Sequence, residues 1–578
     1  MSEKHPIIEE IKYDADSLKN FDKEFSKNNK KSEILLDYPT DYIVYSPTKD
    51  NKYSVYVGET NDIVRRTLQH LNEDPKSRDD WSDFANSEVA KMFIIGHEHF
   101  NKSLTLDIEN RLMMYLTSVD SVKQVDNRRT NNQNKYYTWD QMEEIFSEVW
   151  RKLNRKKKDL FPVESVIRDS AMFKASPFHQ LTDEQLDAKH LIMKKVHNLK
   201  NLSSDNKLIF VQGEAGSGKT VLLSSLFYDI VSQESDNASN NFLLVNHDQQ
   251  LKVYKDIASK LGMDKYNPDV VSKPTRFINA HDENNQADVV LIDEAHLLWT
   301  QGKQSYRGEN QLYDILKRAK VVIAIFDKRQ VLTTEEYWEP EKIDFYMEAA
   351  KKHGNLIELH DQMRMDANAQ TIDWVKSLVY RHQVKPIPND KKYDLQIMSS
   401  PKELVDKIKS HATSEENSKS GLSRVLATFD WEYKDNSESK DDDGFWRVKV
   451  NDWDMPWNLQ LSVDNKINKI NRNLSWAEQP QTINEVGSTY TIQGFDLNYS
   501  GVIIGPSVKY RNGKVIFDPS ASQNKKAVRN RTLEDGTKQK FGEELLQNEL
   551  NVLLTRGVHG LYLYAVDDEL RNRLIEQQ

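Results

Sequence analysis

A glycine-rich loop near residue 215 constrains this chain more than any other segment. It follows an apolar stretch at residues 208–211, which predicts a buried parallel strand, and it precedes an apolar helix face. The loop has the pattern G-x-x-x-x-G-K-T, carried by Gly213, Gly216, Ser217, Gly218, Lys219 and Thr220. In such a P-loop, backbone N–H groups surround a phosphate, the lysine contacts the β- and γ-phosphates, and the threonine binds Mg²⁺. The sequence therefore predicts ATP and Mg²⁺ as cofactors; the alternative is an ordinary αβ loop with an incidental lysine.

The composition limits which classes of protein remain. The chain has 578 residues, too many for one core, and 38% hydrophobic residues, as is typical of globular proteins. It has no cysteine, which excludes disulfides, thiolate nucleophiles and cysteine-based metal sites. The net charge of −10 argues against a protein that coats nucleic acid but permits a local basic groove. A polar start and the lack of an apolar run of about 20 residues predict a cytoplasmic protein with no membrane partner.

The first 120 residues have the pattern of a small α/β domain. Residues 41–46 and 53–57 predict two strands of a hairpin, residues 91–95 predict a third strand, and residues 105–116 predict a helix. Between the hairpin and the third strand, Arg66 and His70 are four positions apart and share one face of a predicted helix.

These residues resemble the GIY-YIG nuclease family. Tyr45 and Tyr56 stand where the two motif tyrosines belong, eleven positions apart, and Arg66 and His70 match the helix that follows. The first motif departs from the family because Ile43 replaces its glycine, which removes no catalytic side chain. The alternative is a small α/β domain in which the tyrosines border the core and the helix face is solvated.

The resemblance implies a metal-dependent endonuclease. Glu109 would hold one Mg²⁺ or Mn²⁺ beside the scissile phosphate. Tyr56 or Tyr45 would deprotonate or position the attacking water, Arg66 would neutralise charge on the phosphoryl oxygens, and His70 would be a general base or a phosphate contact. A late polar residue of the family is matched by Asn127 or else by Asn131 or Asn132.

Two further buried strands end in acidic residues, as in a P-loop ATPase. Residues 289–292 lead to Asp293 and Glu294, a Walker B pattern in which Asp293 holds the water shell of Mg²⁺ and Glu294 orients the attacking water. Residues 321–326 lead to Asp327, with Gln330 three positions later.

The order of these motifs resembles superfamily 1 helicases. Gln185 matches the residue that binds adenine, Gln330 the sensor of the γ-phosphate, and Arg364 and Arg556 the two arginine fingers. Gly494, with Thr491 and Gln493, matches motif V, and Asn246 with His247 matches motif Ia, which contacts single strands. The departures are Phe326 for glycine and Asp496 for glutamate. The details resemble the Schlafen-type group, here fused to a GIY-YIG domain.

The predicted fold class is α/β, with a small GIY-YIG domain followed by two RecA-like P-loop lobes with parallel sheets. The predicted boundaries are residues 1–155 for the nuclease domain, 156–180 for a basic linker, 181–350 for the first lobe and 351–578 for the second. Residues 151–158 form a basic run, interpreted as a solvated helix end or as a phosphate contact. Five tryptophans near residues 430–480 predict an inserted subdomain whose rings form a core or else stack on bases. Residues 520–537 predict a mobile surface loop.

The resemblance implies an ATP-dependent nuclease–helicase that translocates on or unwinds nucleic acid, with DNA expected ahead of RNA. Such fusions resemble restriction or anti-phage machinery, with repair as the competing role. The alternative from another class is an ATP-gated sensor of nucleic acid with little unwinding and a silent nuclease domain. An oligomer is compatible with either function.

Overall fold

The computed structural model describes most of the chain. The described residues are 5–25, 30–76, 79–127, 136–200, 207–213, 216–233, 240–302, 306–360, 364–413, 421–434, 437, 439, 443–461, 463–464, 471, 474–533 and 535–578. Across these ranges, no helix is both long enough and apolar enough to span a bilayer.

The chain divides into two compact units, and it enters the first unit three times. Unit 1 comprises Met1–Leu181 and two later segments, Ser224–Ser239 and Val253–Val270. Unit 2 comprises Thr182–Leu223, Asn240–Lys252 and Val271–Gln578. The first unit is therefore discontinuous in sequence.

Unit 1 is built on a five-stranded sheet with the order β1–β4–β2–β3–β5, antiparallel except for the β3–β5 pair. The elements are β1 (Ile7–Lys12), α1 (Ala15–Phe25), α2 (Lys30–Leu36), β2 (Thr40–Pro47), β3 (Tyr53–Thr60), α3 (Ile63–Asn72), α4 (Asp79–Ala85), β4 (Lys91–Gly96), α5 (Lys102–Thr117), β5 (Val122–Val125), α6 (Met142–Lys156), α7 (Glu164–Asp169) and α8 (Ala171–Lys174). The predicted hairpin, third strand and two helices are present. The sheet edges β1 and β5 are additional.

The predicted linker at residues 156–180 is instead part of unit 1. It contains α7 and α8, and Phe161, Phe173 and Phe178 in this stretch are buried. The indole N–H of Trp150 donates to the carbonyl of Pro162 over 2.8 Å. Buried aromatic rings anchor this stretch, because their apolar area is favourable only when it is packed.

The later segments contribute to the packing of unit 1. The Lys260 ammonium is buried and donates to the carbonyl oxygens of Thr117 and Val119, over 3.0 and 2.7 Å, at the end of α5. The Thr117 carbonyl is one of the last of α5, which lack partners within the helix, and a cation at this end also suits the helix dipole. Burial lowers the pKa of Lys260 to about 8. The ring of Tyr228 meets that of Phe178 edge to face, with 5.1 Å between centroids.

Unit 2 contains two parallel sheets, as predicted for two RecA-like lobes. The first has the order β11–β6–β10–β9–β7–β8. The elements along this part of the chain are α9 (Asp183–Lys200), β6 (Leu208–Gly213), α10 (Lys219–Gln233), β7 (Asn241–Val245), α11 (Asp248–Lys260), β8 (Val271–Ser272), α12 (Pro274–Ala280), β9 (Ala287–Asp293), α13 (Gln311–Lys317), β10 (Ala319–Phe326), α14 (Pro340–Lys352) and β11 (Leu356–Leu359). The later parts of α10 and α11 belong to the two later segments of unit 1. Since β11 pairs with β6, the first lobe extends beyond the predicted boundary at residue 350.

The second sheet has the order β12–β22–β17–β13–β16 and is also parallel. The elements of this lobe are α15 (Ala369–Val379), β12 (Asp394–Ile397), α16 (Pro401–Thr413), β13 (Arg424–Ala427), β14 (Arg447–Val450), β15 (Trp453–Pro456), β16 (Val486–Gly487), α17 (Thr489–Ile492), β17 (Leu497–Ile504), β18 (Val508–Arg511), β19 (Lys514–Phe517), α18 (Lys525–Val528), β20 (Arg531–Thr532), β21 (Lys538–Gln539), α19 (Gly542–Leu554), β22 (Gly557–Ala565) and α20 (Asp568–Glu576).

The tryptophan-rich insertion packs on this second sheet. Its antiparallel hairpin, β14 and β15, places Trp446 and Trp457 in one apolar cluster with Val425 and Val486 of the sheet, and Trp476 is also fully buried. Rings enclosed in this way are unavailable to bases, so the structure favours the core interpretation over base stacking for these three residues.

The predicted surface loop at residues 520–537 is largely exposed, but it contains the short elements α18 and β20 and is anchored on the first lobe. Ala527 lies in a buried cluster with Val331 and Tyr337, which follow β10 in the first lobe. Arg529 forms an ion pair with Glu335 of the same first-lobe stretch. The segment therefore joins the two lobes of unit 2 through apolar and charged contacts.

Candidate functional site

The P-loop has the backbone that its glycines predict. Gly216 and Gly218 have φ values of 91° and 70°, in the left-handed region that side chains with a Cβ rarely adopt. A Cβ at Gly213 would lie 2.3 Å from Ser217 Oγ. That hydroxyl is buried and has no hydrogen-bond partner within the described residues. A buried, unpaired donor beside a glycine turn fits a phosphate oxygen.

The lysine of the loop lies in a polar contact network at the ends of the strands. Lys219 begins α10, donates to the carbonyl of Gly213 over 2.7 Å, and lies 3.6 Å from a carboxylate oxygen of Asp327. Burial acts to raise the pKa of Asp327, but the Lys219 ammonium, His296 and hydrogen bonds from Gln330 and the Arg329 backbone together lower that pKa below its ordinary value. Thr220 is the next residue of the same helix turn. These residues fit a Mg²⁺–nucleotide, because the Lys219 ammonium suits the phosphates and the Thr220 hydroxyl suits Mg²⁺ at the start of α10.

Asp293 and Glu294 lie at the end of β9, where the Walker B pattern predicts them. Asp293 is buried and accepts a hydrogen bond of 3.0 Å from the Glu294 backbone N–H. Glu294 has a left-handed backbone with φ of 49°, a conformation that costs about 1 kcal/mol or more outside glycine. Its Oε2 lies 3.4 Å from Nε2 of His296, whose pKa burial lowers, so the imidazole is neutral at pH 7. The strained backbone thus fixes the direction of the Glu294 carboxylate, whose neighbour His296 is uncharged.

Arg556 of the second lobe reaches a first-lobe residue. Its side chain is 0% exposed, and its Nη2 lies 3.4 Å from Gln330 Oε1, just beyond β10. Nε donates to the carbonyl of Val552 over 3.1 Å. Burial and the Arg364 charge lower the pKa of Arg556 to about 9. Within the described residues, no carboxylate lies within ion-pair distance of Arg556.

The other predicted arginine finger, Arg364, lies near Arg556 and pairs with a carboxylate. Arg364 Nε lies 2.6 Å from Asp496 Oδ1, so the guanidinium forms an ion pair within the second lobe. Gly494 has a φ of 84°, and a Cβ there would lie 2.4 Å from Nε2 of Gln250, which belongs to the first lobe. The glycine of motif V is thus needed for the close approach of the two lobes.

Two segments predicted to contact ligands also make contacts within the protein. The amide of Gln185 donates to the backbone carbonyl of Ser217 over 3.3 Å, which ties α9 to the P-loop. The amide of Asn246 donates to the carbonyl of Leu297 over 2.5 Å, and the ring of His247 lies 6.2 Å from that of Phe495. Asn246 and His247 thus make contacts within the protein, and their predicted contact with a single strand stays a prediction.

In unit 1, the strand register decides which tyrosines share a face. Val44 lies opposite Tyr56, so Tyr42 and Tyr56 point to one face of the sheet and Tyr45 to the other. The rings of Tyr42 and Tyr56 are stacked with 6.1 Å between centroids. Tyr45 instead donates to the carboxylate of Glu10. The spacing match that favoured Tyr45 is therefore wrong by strand alternation, and Tyr42 takes its place beside Tyr56.

His70 lies under these tyrosines. It is 1% exposed, and its Nε2 is 2.8 Å from Tyr42 Oη. The Arg66 side chain is half-buried on the same helix, and its guanidinium opposes the rise that burial and Tyr56 cause in the pKa of Tyr42. The predicted pair on α3 thus lies together with both tyrosines of this face.

Glu109 lies on α5, and its carboxylate contacts Asn127, which lies just past the end of β5. Asn127 Nδ2 donates both to Glu109 Oε1 and to the carbonyl of Val57, over 2.8 and 2.7 Å. Of the three candidate asparagines, Asn127 is thus the one in contact with Glu109, while Asn131 and Asn132 lie outside the described residues. Burial and the Glu59 carboxylate raise the pKa of Glu109 to about 8. In the described ranges, no three His, Asp or Glu side chains form a ready metal-binding group, so the metal predicted at Glu109 stays a prediction.

The raised pKa of Glu109 leads to a stability prediction. Because the folded-state pKa exceeds the ordinary 4.5, the folded protein binds more protons between pH 4.5 and 8 and loses stability as pH rises through that window. In metal-free buffer at pH 9, we expect Glu109→Gln to raise the free energy of unfolding by on the order of 4 kcal/mol and the melting temperature by several degrees. At pH 6 we expect both increases to be far smaller. Circular dichroism at both pH values measures this, with Asp107→Asn on the same helix as the control. An equal shift at both pH values would contradict it.

Comparisons with known proteins bear mainly on unit 2. The family model described as Schlafen group 3, DNA/RNA helicase domain, matches residues 206–567. An uncharacterized protein of Saccharomyces cerevisiae, YPL245W, is 32% identical over 452 residues, which are 71% of this chain and 93% of that protein.

Solved helicase structures also match at low similarity. The arterivirus nonstructural protein 10 helicase is 12% identical, with 66% of this chain and 64% of that chain covered and a TM-score of 0.26. The DUF1998 helicase MrfA, solved bound to DNA, is 11% identical, with 69% of this chain and 51% of that chain covered and a TM-score of 0.28.

Proposed function

Because this chain belongs to the Schlafen group 3 DNA/RNA helicase domain family, we propose that its ATPase drives movement along single-stranded nucleic acid and that unit 1 cuts phosphodiester bonds. The observation that carries the motor proposal is the contact of Arg556, from the second lobe, with Gln330 of the first. A buried guanidinium with no carboxylate partner among the described residues suits an anionic phosphate at the same place.

The motor residues divide the work of ATP hydrolysis. Lys219, Thr220 and Asp293 would hold the Mg²⁺–nucleotide, which supplies the phosphoanhydride bond when bound. Glu294 accepts a proton from the attacking water, and the constrained Glu294 backbone holds its carboxylate in place. Arg556 neutralises charge that develops on the transferred phosphoryl group, and it does so only when the lobes are together. Hydrolysis is thereby coupled to the relative movement of the lobes.

The nuclease residues fit a hydrolysis with one metal ion. Glu109, oriented by Asn127, would hold Mg²⁺ or Mn²⁺, which neutralises charge on the scissile phosphate when bound. Tyr42 or Tyr56 takes a proton from the attacking water, and Arg66 binds the phosphoryl oxygens. The proposal keeps the predicted roles of Arg66, His70 and Glu109 and assigns that of Tyr45 to Tyr42.

A second candidate function is an ATP-gated sensor with a silent nuclease unit. It is favoured by the raised pKa of Glu109, since a carboxyl with a pKa of about 8 keeps its proton at neutral pH unless a cation displaces it. The predicted anti-phage role stays a prediction, as does repair.

The first test measures both activities of the whole chain. ATP hydrolysis is followed with single- and double-stranded DNA and RNA, and cleavage of the same labelled molecules is followed with Mg²⁺ or Mn²⁺, with and without ATP. We expect hydrolysis stimulated by single strands, and cleavage that changes with ATP and rises from pH 6.5 to 8.5. Stimulated hydrolysis without cleavage of any substrate would favour the sensor. Unstimulated hydrolysis would contradict the motor.

A further inference from the structure

An aspartate outside the recognised motifs lies against the candidate nuclease site. Asp74 lies two positions after the end of α3, and its Oδ2 lies 2.5 Å from His70 Nδ1. The other ring nitrogen of His70 lies 2.8 Å from Tyr42 Oη. Asp74, His70 and Tyr42 thus form a continuous chain of hydrogen bonds that ends on the face of the sheet shared with Tyr56.

The imidazole in this chain is held on its faces as well as at its nitrogens. The Trp81 ring stacks on it, with centroids 3.6 Å apart and planes 14° apart, and Tyr56 meets it edge to face at 5.6 Å. A ring fixed by two hydrogen bonds and by stacking has one orientation. With a carboxylate at Nδ1, the ring proton belongs on Nδ1, so Nε2 is the acceptor for the Tyr42 hydroxyl.

We propose that Asp74 is a positioning residue for the nuclease reaction: it fixes the tautomer of His70 so that Nε2 can take a proton from Tyr42. This inference rests on the proposed nuclease function. As water attacks, its proton moves to Tyr42 Oη while the Tyr42 proton moves to His70 Nε2. A bond forms between the water oxygen and phosphorus, the bond from phosphorus to the leaving oxygen breaks, and that oxygen takes a proton from solvent water. The imidazolium, paired with Asp74, later returns its proton to solvent.

The expected pH response is centred on the Asp74–His70 pair, and it depends on the titratable and charged groups that face His70. They are Tyr42 and Tyr56 from the hairpin, Arg66 and Asp74 from α3 and the turn after it, and Tyr13, which stacks on Trp81. Burial raises the pKa of both Tyr13 and Tyr42, so these phenols stay protonated at neutral pH in the resting site.

The test compares Asp74→Asn with Glu73→Gln, which removes an exposed carboxylate one position away. We expect Asp74→Asn to lower kcat for cleavage about 100-fold with little change in KM and to move the acid limb of the pH profile, while Glu73→Gln matches the wild type. Asp74→Glu should restore part of the activity. ATP hydrolysis by the same preparations reports whether the chain is folded.

A readout independent of cleavage is the tautomer of His70, measured by ¹⁵N NMR of histidine-labelled protein and assigned with His70→Gln. We expect Nδ1–H in the wild type and Nε2–H in Asp74→Asn. A wild type with Nε2–H overturns the inference, even if no cleavage is found and the proposed function fails. A wild type that cuts, with Asp74→Asn cutting equally well, overturns the inference while the proposed function stands.

Discussion

Arg556→Ala is expected to lower kcat for ATP hydrolysis by about 10³–10⁵-fold, with nucleotide affinity changed only a few-fold. The guanidinium is fully buried beside Gln330, so its charge acts in a medium where water screens it weakly. An interaction made mainly with the transition state affects kcat rather than ground-state binding. Steady-state hydrolysis with saturating single strands, together with titration of a fluorescent nucleotide, measures both quantities.

The matched control for this variant is Arg424→Ala. Arg424 is a second buried arginine of the same lobe, bonded to the carbonyl of Gln479 and the hydroxyl of Thr482, and it lies in β13. Both substitutions should lower the melting temperature, whereas only Arg556→Ala should lower kcat of the folded fraction. A kcat within tenfold of the wild type would remove Arg556 from the active site. Lys219→Ala, which we expect to stop turnover, then shows whether the P-loop is the site.

Glu109→Ala is expected to lower metal-dependent cleavage by about 10³-fold or more and to leave ATP hydrolysis unchanged. The carboxylate is the single metal ligand proposed in unit 1, and several kcal/mol of charge stabilisation at the phosphate depend on it. The measurement is the single-turnover cleavage rate over a series of Mg²⁺ and Mn²⁺ concentrations. ATP hydrolysis is assayed in parallel.

The control for this substitution lies two positions earlier on α5. Asp107 accepts a hydrogen bond of 2.7 Å from Tyr136 and has no proposed role in metal binding. The Asp107→Asn variant should therefore cut as fast as the wild type. Cleavage by Glu109→Ala at the wild-type rate would show that the metal is held elsewhere or that the cutting comes from another protein. Loss of both activities would point to unfolding rather than to metal binding.

The features that could be predicted from the sequence are local in the chain. The P-loop, the strand that ends in Asp293 and Glu294, and the hairpin each occupy one short segment with its own period and turn chemistry. The structure agrees with these because backbone and pattern are decided within a few residues. The helix pair Arg66 and His70 was predictable for the same reason.

The features that could not be predicted depend on pairing between distant segments. Tyr45 has the right spacing to Tyr56, but the register of β2 on β3 places Tyr42 on the shared face. The motif position of Arg364 does not predict its ion pair with Asp496, which is more than 100 residues away in the chain. The contact between Asp74 and His70 could have been predicted from the sequence, because the two residues are four positions apart and His70 lies in the last turn of α3.

The way the chain re-enters unit 1 affects how the two proposed activities can be separated. Truncation after residue 181 would remove Val253–Val270, and with it the Lys260 ammonium that covers the carbonyl end of α5, the helix that carries Glu109. A nuclease fragment obtained in this way would lack part of its own fold. Recombination that transplants only the first third of the gene would meet the same obstacle, so the two activities are expected to be inherited together.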